Sequence, residues 1–508
     1  MEYDIIFITG ETFFDHPLCG TAILKRLLEK KGYTVGVIEM PKKEDDVKRL
    51  GKPKLFFGIS SGSIDSMVRN YTPLKKLRKD DKYQDYNESV PDRAVIVYSN
   101  WVKRHYKDSI LLIGGTEATL RRFTHYDYWD NDVRRSILLD SRANILVYGS
   151  AEKQVMEIAE RVKTGKELNG VEGTCVLARE VPEGFTLIPS HEESKESKEK
   201  FCDMQMMLCN TKNLAQKVGP SYVLQYKSPK YTPKDLDEYY ELPFTRDVPK
   251  DLRGFQFSVV THRGCIGHCS FCSLALTQGD RIISRSKESI IREVERIAKH
   301  PHFRGNIDDL GGPSANMYGM DCDQCDGKCI DCKKLDRTNK RLIDLLRSLR
   351  KVKGVKNVYI RSGIRYDLAS PEYLEEVVKY HIFDYLKVAP EHVDKNILKL
   401  MNKDKGDLRK FIKMFDDMKS RKKLSFYFMT AHPGSSMKEA KELSDAVKKM
   451  KNCESIQLFT PTPMTRSTAM YHTGMDPKTK MKLHIPYTYL EKKKQKRLLL
   501  HHLKQDLE

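Results

Sequence analysis

The sequence predicts an α/β chain in two successive parts: an open, parallel, Rossmann-like sheet, then a barrel or part-barrel of alternating strands and helices. Three observations point there. Short runs rich in Ile and Val, bounded by glycine, alternate with amphipathic segments across residues 1–170. The alternation restarts near residue 255 and repeats through six strand-helix units. Seven cysteines stand in two tight groups just after predicted strand ends, where such architectures carry their chemistry.

Composition sets the frame. A length of 508 residues suggests about three domains. With 39% hydrophobic and 31% charged residues, and no uninterrupted apolar run of the length a membrane helix needs, the chain reads as a soluble globular protein. Its start, MEYDIIFITG, lacks the basic segment of a signal peptide and passes straight into a buried-strand pattern, so a cytoplasmic protein with no membrane association is expected. In that compartment the twelve cysteines stay reduced, and close groups point to metal rather than to disulfides. Cys19, Cys175, Cys202, Cys209 and Cys453 stand apart and read as small packing residues. The net charge of +20 fits either a lysine-rich solvated surface or a polyanionic partner.

In chain order, DIIFITG, GTAILKRLLEKKGY and TVGVIEM form a β-α-β unit, with Ile23, Leu27 and Leu28 on one helical face. Further strands are predicted at PKLFFGISSG, SILLIGGTEA and ANILVYGSAE, completing a sheet domain over 1–170. Gly10, Gly62, Gly114, Gly115 and Gly149 fall near the carboxyl ends of these strands, where open sheets bind ligands and where plain turn glycines also sit. Next, GTCVLAREVPEGFTLIPS reads as a hairpin turning at Pro182, Glu183 and Gly184, and residues 171–250 as connecting structure with that hairpin and helices. The second series is expected over 251–475. Its strands are FQFSVVT, GNIDDLGG, VKNVYIR, FDYLKVAPE, LSFYFMTAHPG and ESIQLFTPTP, with helices at KESIIREVERIAKH and at about 339–351, 370–381, 394–419 and 436–450. Residues 476–508 read as a basic C-terminal tail, more a frayed terminal surface than a docking helix.

The segment GCIGHCSFCSLA places Cys265, Cys269 and Cys272 directly after the first barrel strand. Cysteine thiolate is the usual ligand of a [4Fe–4S] cluster. Three thiolates would leave one of its four irons open, and metal sites that do chemistry keep such a position free, whereas structural zinc closes with four protein ligands. Zinc completed by His262 or His268 is the competing reading.

These residues resemble the loop of the radical S-adenosylmethionine (SAM) enzymes, a C-x3-C-x2-C run with an aromatic, Phe271, before the last Cys. DDLGGPSANMYGM resembles the superfamily's Gly-Gly-Glu-like strand end, VAPEHVDKNILKLMNK its ribose-binding strand, MTAHPGSS a Pro-Gly-Glu-Thr turn with Ser435 in place of Glu, and QLFTPTPMTRSTAMY its last strand and turn. Together with DHPLCG, and in this order up to about residue 475, the set resembles the YgiQ-like radical SAM family. The resemblance implies a Rossmann-like, cobalamin-domain-like sheet followed by a radical SAM (β/α)6 partial TIM barrel. It further implies that the open iron holds SAM through its amino and carboxylate groups. Phe271 would lie against the adenine, the backbone of Gly311 and Gly312 would meet the methionine amino group, and Glu391 the ribose hydroxyls. Ser362 or Arg365 would stand near the carboxylate or substrate, although Arg361 and Arg365 could equally pair with Asp367.

DCDQCDGKCIDCKK brings a second group, Cys322, Cys325, Cys329 and Cys332, into a four-Cys insertion at 320–334. Its C-x2-C-x3-C-x2-C spacing is tighter than the usual pair of zinc knuckles, and both an auxiliary [4Fe–4S] cluster and zinc stay open. The N-terminal sheet resembles in layout the cobalamin domains of some radical SAM enzymes, whose pattern is Asp-x-His-x-x-Gly. Here FDHPLCG has Asp15 and His16 adjacent with Gly20 following, so cobalamin with His16 as cobalt ligand, cobalamin without it, and an empty structural sheet are distinct outcomes.

The expected function is therefore reductive cleavage of SAM by a [4Fe–4S] cluster to give a 5′-deoxyadenosyl radical that modifies a substrate. RNA is one substrate reading and a small metabolite the other, with an electron donor such as ferredoxin or flavodoxin as partner. The alternative is a non-catalytic scaffold or RNA-binding protein stabilised by zinc or an iron–sulfur cluster.

Overall fold

A computed structural model of the chain describes residues 2–78, 89–322, 324, 329–450 and 452–503. The N-terminal part is organised by a nine-stranded sheet. Strands β1 (Ile5–Thr9), β2 (Val35–Glu39), β3 (Phe56–Ser60) and β4 (Ile110–Gly114) come first. A separate two-stranded ribbon of β5 (His125–Asp127) and β6 (Asp132–Arg134) interrupts the series before β7 (Ile145–Val147). Then follow β8 (Thr174–Ala178), β9 (Thr186–Ile188), β10 (Leu214–Val218) and β11 (Ser221–Gln225). The sheet runs in the order β2-β1-β3-β4-β7-β8-β11-β10-β9, and its first five members are parallel.

The alternation of side chains explains why these strands are apolar at nearly every position. Ile6 and Ile8 of β1 face a core with Tyr98 and Val102, while Ile5 and Phe7 face another with Val155 and Ile158. A sheet covered by helices on both faces buries both sets, which is what a parallel sheet requires.

Two expectations fail in the segment after residue 170. The stretch 174–225 is not connecting structure but extends the sheet by four strands. Nor do β8 and β9 form a hairpin about Pro182, Glu183 and Gly184: β8 pairs antiparallel with β7 and β11, and β9 pairs parallel with β10. The hairpin is β10–β11, closed by Gly219 and Pro220 between Val218 and Ser221. Burial decides the matter, because Thr174, Cys175 and Val176 are inaccessible and must lie inside the sheet, whereas Thr186 and Leu187 are exposed and fit an edge.

The second part contains the strands β12 (Val259–Val260), β13 (His262–Arg263), β14 (Ile283–Ser284), β15 (Asn306–Ile307), β16 (Leu310–Gly311), β17 (Asn357–Val358), β18 (Tyr385–Glu391), β19 (Lys423–Thr430) and β20 (Cys453–Leu458). The pairs β12–β16, β15–β17, β18–β19 and β19–β20 are parallel, and a bridge from Ile364 to Val388 carries the series across to β18. Among the described residues no ladder joins β20 back to β12, so the wall is a partial barrel. Helices Lys287–Ala298, Lys340–Leu349, Pro371–Tyr380 and Met437–Lys449 cover it, burying Ile290, Val294, Leu346 and Leu443 in one core.

The helix expected over 394–419 is two helices, Lys395–Leu400 and Leu408–Asp416. Asn402 takes a left-handed backbone (φ 53°) that ends the first, and Asp407 caps the second by accepting from the amides of Arg409 and Lys410. The C-terminal tail is also a correction. Helix Tyr489–Leu503 is docked, with Leu499 inside the barrel core, Gln495 donating to the Ser435 carbonyl (2.9 Å) and the Ser444 hydroxyl donating to the Leu498 carbonyl (2.9 Å). No helix among the described residues is long and apolar enough to cross a membrane.

Candidate active site

The carboxyl ends of the two sheets face each other across a cavity of about 500 Å3. From the N-terminal sheet it is lined by small groups at strand ends, including Ser60, Gly62, Gly114, Gly115 and Gly149. From the barrel come His262, Asp309, Gly311, Gly312 and Ser362. The close approach at Gly312 is obligatory, since a Cβ there would fall 2.6 Å from the His262 ring.

The thiol loop follows β13 and is fixed on both sides. The amide of Cys265 donates to the Gly279 carbonyl (3.0 Å), that of Ser270 to Met401 (2.9 Å), and the Asn402 side-chain amide donates to the His268 carbonyl (2.9 Å). The Cys272 amide closes a turn onto the Cys269 carbonyl (3.0 Å). Burial, and then the neighbouring Cys269 thiol, push Cys272 up to about 12, and burial likewise raises Cys265. Thiols so placed are deprotonated only when a cation or metal takes the charge.

Cations are at hand. The Arg365 guanidinium lies 3.5 Å from the Cys269 sulfur and forms a two-pronged pair with Asp367 (3.0 and 2.7 Å). Asn316 holds its backbone on both sides, accepting from the Arg365 amide (2.9 Å) and donating to the Arg365 carbonyl (2.8 Å). Burial works against that guanidinium, but Asp367 and Cys269 outweigh it and hold its pKa above that of an ordinary arginine. Gly267 gives it room, because a Cβ there would stand 2.4 Å from the guanidinium and 3.5 Å from the Cys265 sulfur. Lys403 reaches the Glu391 carboxylate at 3.1 Å; burial opposes its charge, yet Glu391 and Cys269 raise it overall. Two thiols raised by burial, Cys265 and Cys272, and a third, Cys269, beside a buried guanidinium fit a thiolate-ligated cluster, although among the described residues no three Cys, His, Asp or Glu side chains already converge on one point.

The other sequence-predicted residues fall as follows. Phe271 packs edge-on to His432, with ring centroids 6.5 Å apart. Gly311 ends β16, and Ser362 hydrogen-bonds through its hydroxyl to Asp309, whose other oxygen accepts from the Ser362 amide (3.2 Å). Glu391 adopts a left-handed backbone (φ 69°) at the end of β18. Of the second group, Cys329 is buried beside Ile330, Met317 and Met320 in a cluster that also contains Ile266 of the thiol loop, and Cys265 and Cys332 both pack against it. Cys322 is half-buried, and Cys325 lies outside the described residues.

His16 does not present a free nitrogen to the cavity. Its ring is inaccessible, Nδ1 accepts from the Leu18 amide (3.0 Å), and Nε2 lies 2.9 Å from the Gln256 carbonyl and 3.1 Å from Arg246. It therefore serves the joint between the two parts of the chain.

Sequence reasoning missed Lys403, Asn402, Asp309 and Asn316. The first two lie in MNKDKG, which reads as helix interior until the left-handed Asn402 is known. The same turn joins both cysteine groups, since Lys405 pairs with Asp331 (2.8 Å) between Cys329 and Cys332.

Comparison with known proteins gives these residues a context. Residues 1–257 match the family described as Radical SAM N-terminal, 259–447 the Radical SAM superfamily, and 454–505 a domain of unknown function, DUF3362. UPF0313 protein MJ1155 of Methanocaldococcus jannaschii is 43% identical over 98% of this chain and 90% of its own length. UPF0313 protein FN0734 of Fusobacterium nucleatum is 38% identical over 97% and 95%. Among solved structures, the radical SAM methyltransferase TsrM of Kitasatospora setae, with tryptophan and a SAM analog bound, is similar over 91% of this chain and 74% of its own (TM-score 0.54, 15% identity). The cobalamin-dependent radical SAM enzyme OxsB, with aqua-cobalamin bound, is similar over 89% and 53% (TM-score 0.51, 12% identity), and at these identities the likeness is one of fold. With a near-full-length match to such relatives and a radical SAM domain at the thiol loop, the chain belongs to the YgiQ-like UPF0313 family of radical SAM enzymes, whose cofactors are a [4Fe–4S] cluster and SAM.

Proposed function

We propose that Cys265, Cys269 and Cys272 hold the cluster, that SAM occupies its open iron, and that the enzyme modifies a substrate lying in the cavity between the sheet and the barrel. When bound, the cluster and SAM supply one-electron reductive cleavage leading to hydrogen-atom abstraction. The remaining work belongs to the chain. Arg365, locked by Asp367 and Asn316, offsets thiolate charge beside Cys269. Glu391, oriented by Lys403, would meet the ribose of bound SAM, Phe271 its adenine, and the backbone of Gly311 and Gly312 its methionine amino group. The electron enters from a ferredoxin or flavodoxin.

The observation that carries this reading is a three-thiol loop with a buried cation 3.5 Å from the Cys269 sulfur, near a cavity shared by both parts of the chain. Anaerobic reconstitution tests it: the cluster spectrum should change on adding SAM, and reduction should release 5′-deoxyadenosine. Protein that holds only zinc and gives no response to SAM overturns it.

A second cofactor follows from the shared fold of two enzymes solved with cobalamin and from the floor of small strand-end groups. Cobalamin would rest on the backbone of Gly62, Gly114 and Gly115, with His16 unavailable as a lower ligand. Retention of hydroxocobalamin after gel filtration, followed by its visible spectrum, tests that. For the second group, an auxiliary cluster is favoured by the apolar cluster that Cys329 shares with the thiol loop, and metal analysis of Cys329→Ala decides between iron and zinc. RNA as the substrate class is supported by the +20 net charge.

A further inference from the structure

A second cavity, of about 650 Å3, lies between residues Leu74 and Lys75, the β5–β6 ribbon, helix Arg466–Thr473 and the start of helix Tyr489–Leu503. Its walls carry five tyrosines, namely Tyr126, Tyr128, Tyr471, Tyr487 and Tyr489. Its cations are Lys75, Lys198 and Lys492, and among the described residues no Asp or Glu lines it.

Lys492 is the unusual member. It is only 4% exposed, yet among the described residues no carboxylate forms an ion pair with it. Its Nζ donates to the hydroxyls of Tyr128 (3.0 Å) and Tyr471 (2.9 Å) and lies 5.0 and 4.9 Å from the centroids of the same two rings. Two of its three N–H donors are accounted for. An ammonium group buried against neutral phenols is costly, and the ring faces return only part of that cost. An anion entering the cavity would supply the missing charge. Toward the rim, Tyr487 and Tyr489 are 50% and 44% exposed, and Lys76 and Lys493 lie 5.7 and 5.5 Å from the Tyr489 ring centroid.

Stacking faces interleaved with lysines, with a buried cation behind them, are the chemistry that recognises a base together with its phosphate. We propose that this cavity binds one nucleotide unit, its base on the tyrosine faces and its phosphate on Lys492 and Lys75. The subsite is connected to the thiol loop through rings: Tyr471 to Phe459 (6.3 Å), Phe459 to His432 (5.2 Å) and His432 to Phe271 (6.5 Å). It is an anchor away from the reacting atoms, where remote binding energy positions the rest of a substrate. This inference does not depend on the reading of the other cavity, because binding is measured without SAM or reductant.

The test uses the full-length protein and fluorescence anisotropy with a short fluorescein-labelled oligo(U), an abasic strand with the same number of phosphates, and unlabelled UMP as competitor. Oligo(U) should bind more tightly than the abasic strand, and Tyr489→Ala and Lys492→Met should each weaken it about tenfold. Competition by UMP at concentrations comparable to the strand identifies a free nucleotide as the ligand; much weaker competition identifies RNA; both support the site. Equal binding of the abasic strand, or binding unchanged in both variants, overturns it. Tyr489 is exposed enough that its variant folds even if Lys492→Met does not, so the stacking arm remains decisive.

Discussion

The two shores of the 500 Å3 cavity are built on different principles. The sheet side brings strand-end glycines, serines and threonines to it, among them Ser60, Gly62, Gly114, Gly115 and Thr116. The barrel side lines it with His262, Asp309, Gly311, Gly312 and Ser362, and the same part of the chain carries, outside that lining, the thiol loop with Arg365, Asp367, Glu391 and Lys403 held in ion pairs. Small groups mark the first, a network of buried ion pairs the second. A shore of small groups tolerates a broad ligand but cannot tune a redox centre, whereas a network of buried ions tunes one and tolerates little change.

The comparison breaks most sharply at the thiols. Cys269→Ala should reduce 5′-deoxyadenosine release to background and remove the SAM-induced spectral change. Cys329→Ala should leave SAM cleavage partly intact without substrate turnover. The reverse outcome, read by chromatography of 5′-deoxyadenosine, would exchange the roles of the two cysteine groups. On the opposite shore, Thr116→Trp fills the cavity beside Gly115 without touching a thiol. It should lower substrate modification more than tenfold, while iron content and SAM cleavage stay near wild type; equal loss of both would mean that the sheet side also builds the cluster site.

The charge network is sharpened by Asp367→Asn, which leaves the buried Arg365 without its anionic partner. Breaking such a pair costs about 3 kcal/mol, measurable as a lower denaturation midpoint in the anaerobic holoprotein. Glu44→Gln, which breaks an exposed pair with Arg104, should move the midpoint far less.

The difference between the shores also explains what could be read from the sequence. The strand cores of the sheet were legible because burial on both faces forces continuous Ile, Val and Phe runs such as IIFIT. The cysteines were legible because no packing role calls for seven thiols at such spacing. Asn402 and Lys403 were not, since a single left-handed residue inside a helical pattern leaves no periodic trace. Strand partners were equally hidden: β8 and β9 each look like half of a hairpin, yet β8 pairs with β7 and β11, and β9 with β10. The docked C-terminal helix was obscured by its lysines, one of which, Lys492, is buried against tyrosines far away in sequence.

The smallest expected effect is shared by both parts of the chain and comes from histidines folded in neutral form. Burial first lowers His16 to about 3 and His125 to about 4 in the N-terminal part, and His432 to about 3 in the barrel. Unfolded, each imidazole titrates near pH 6.5. Below that value the unfolded chain takes up protons that the folded chain refuses, so stability falls as pH drops from about 6.5 toward the folded pKa values and is fully regained above about 7.5. Each such group should cost about 1 kcal/mol between pH 7.5 and pH 5.5. Urea midpoints at the two values measure the sum, and His125→Gln should flatten the slope by one histidine's share. An unchanged slope would mean that the imidazole of His125 is protonated in the folded chain, with Asp127 as its counter-ion.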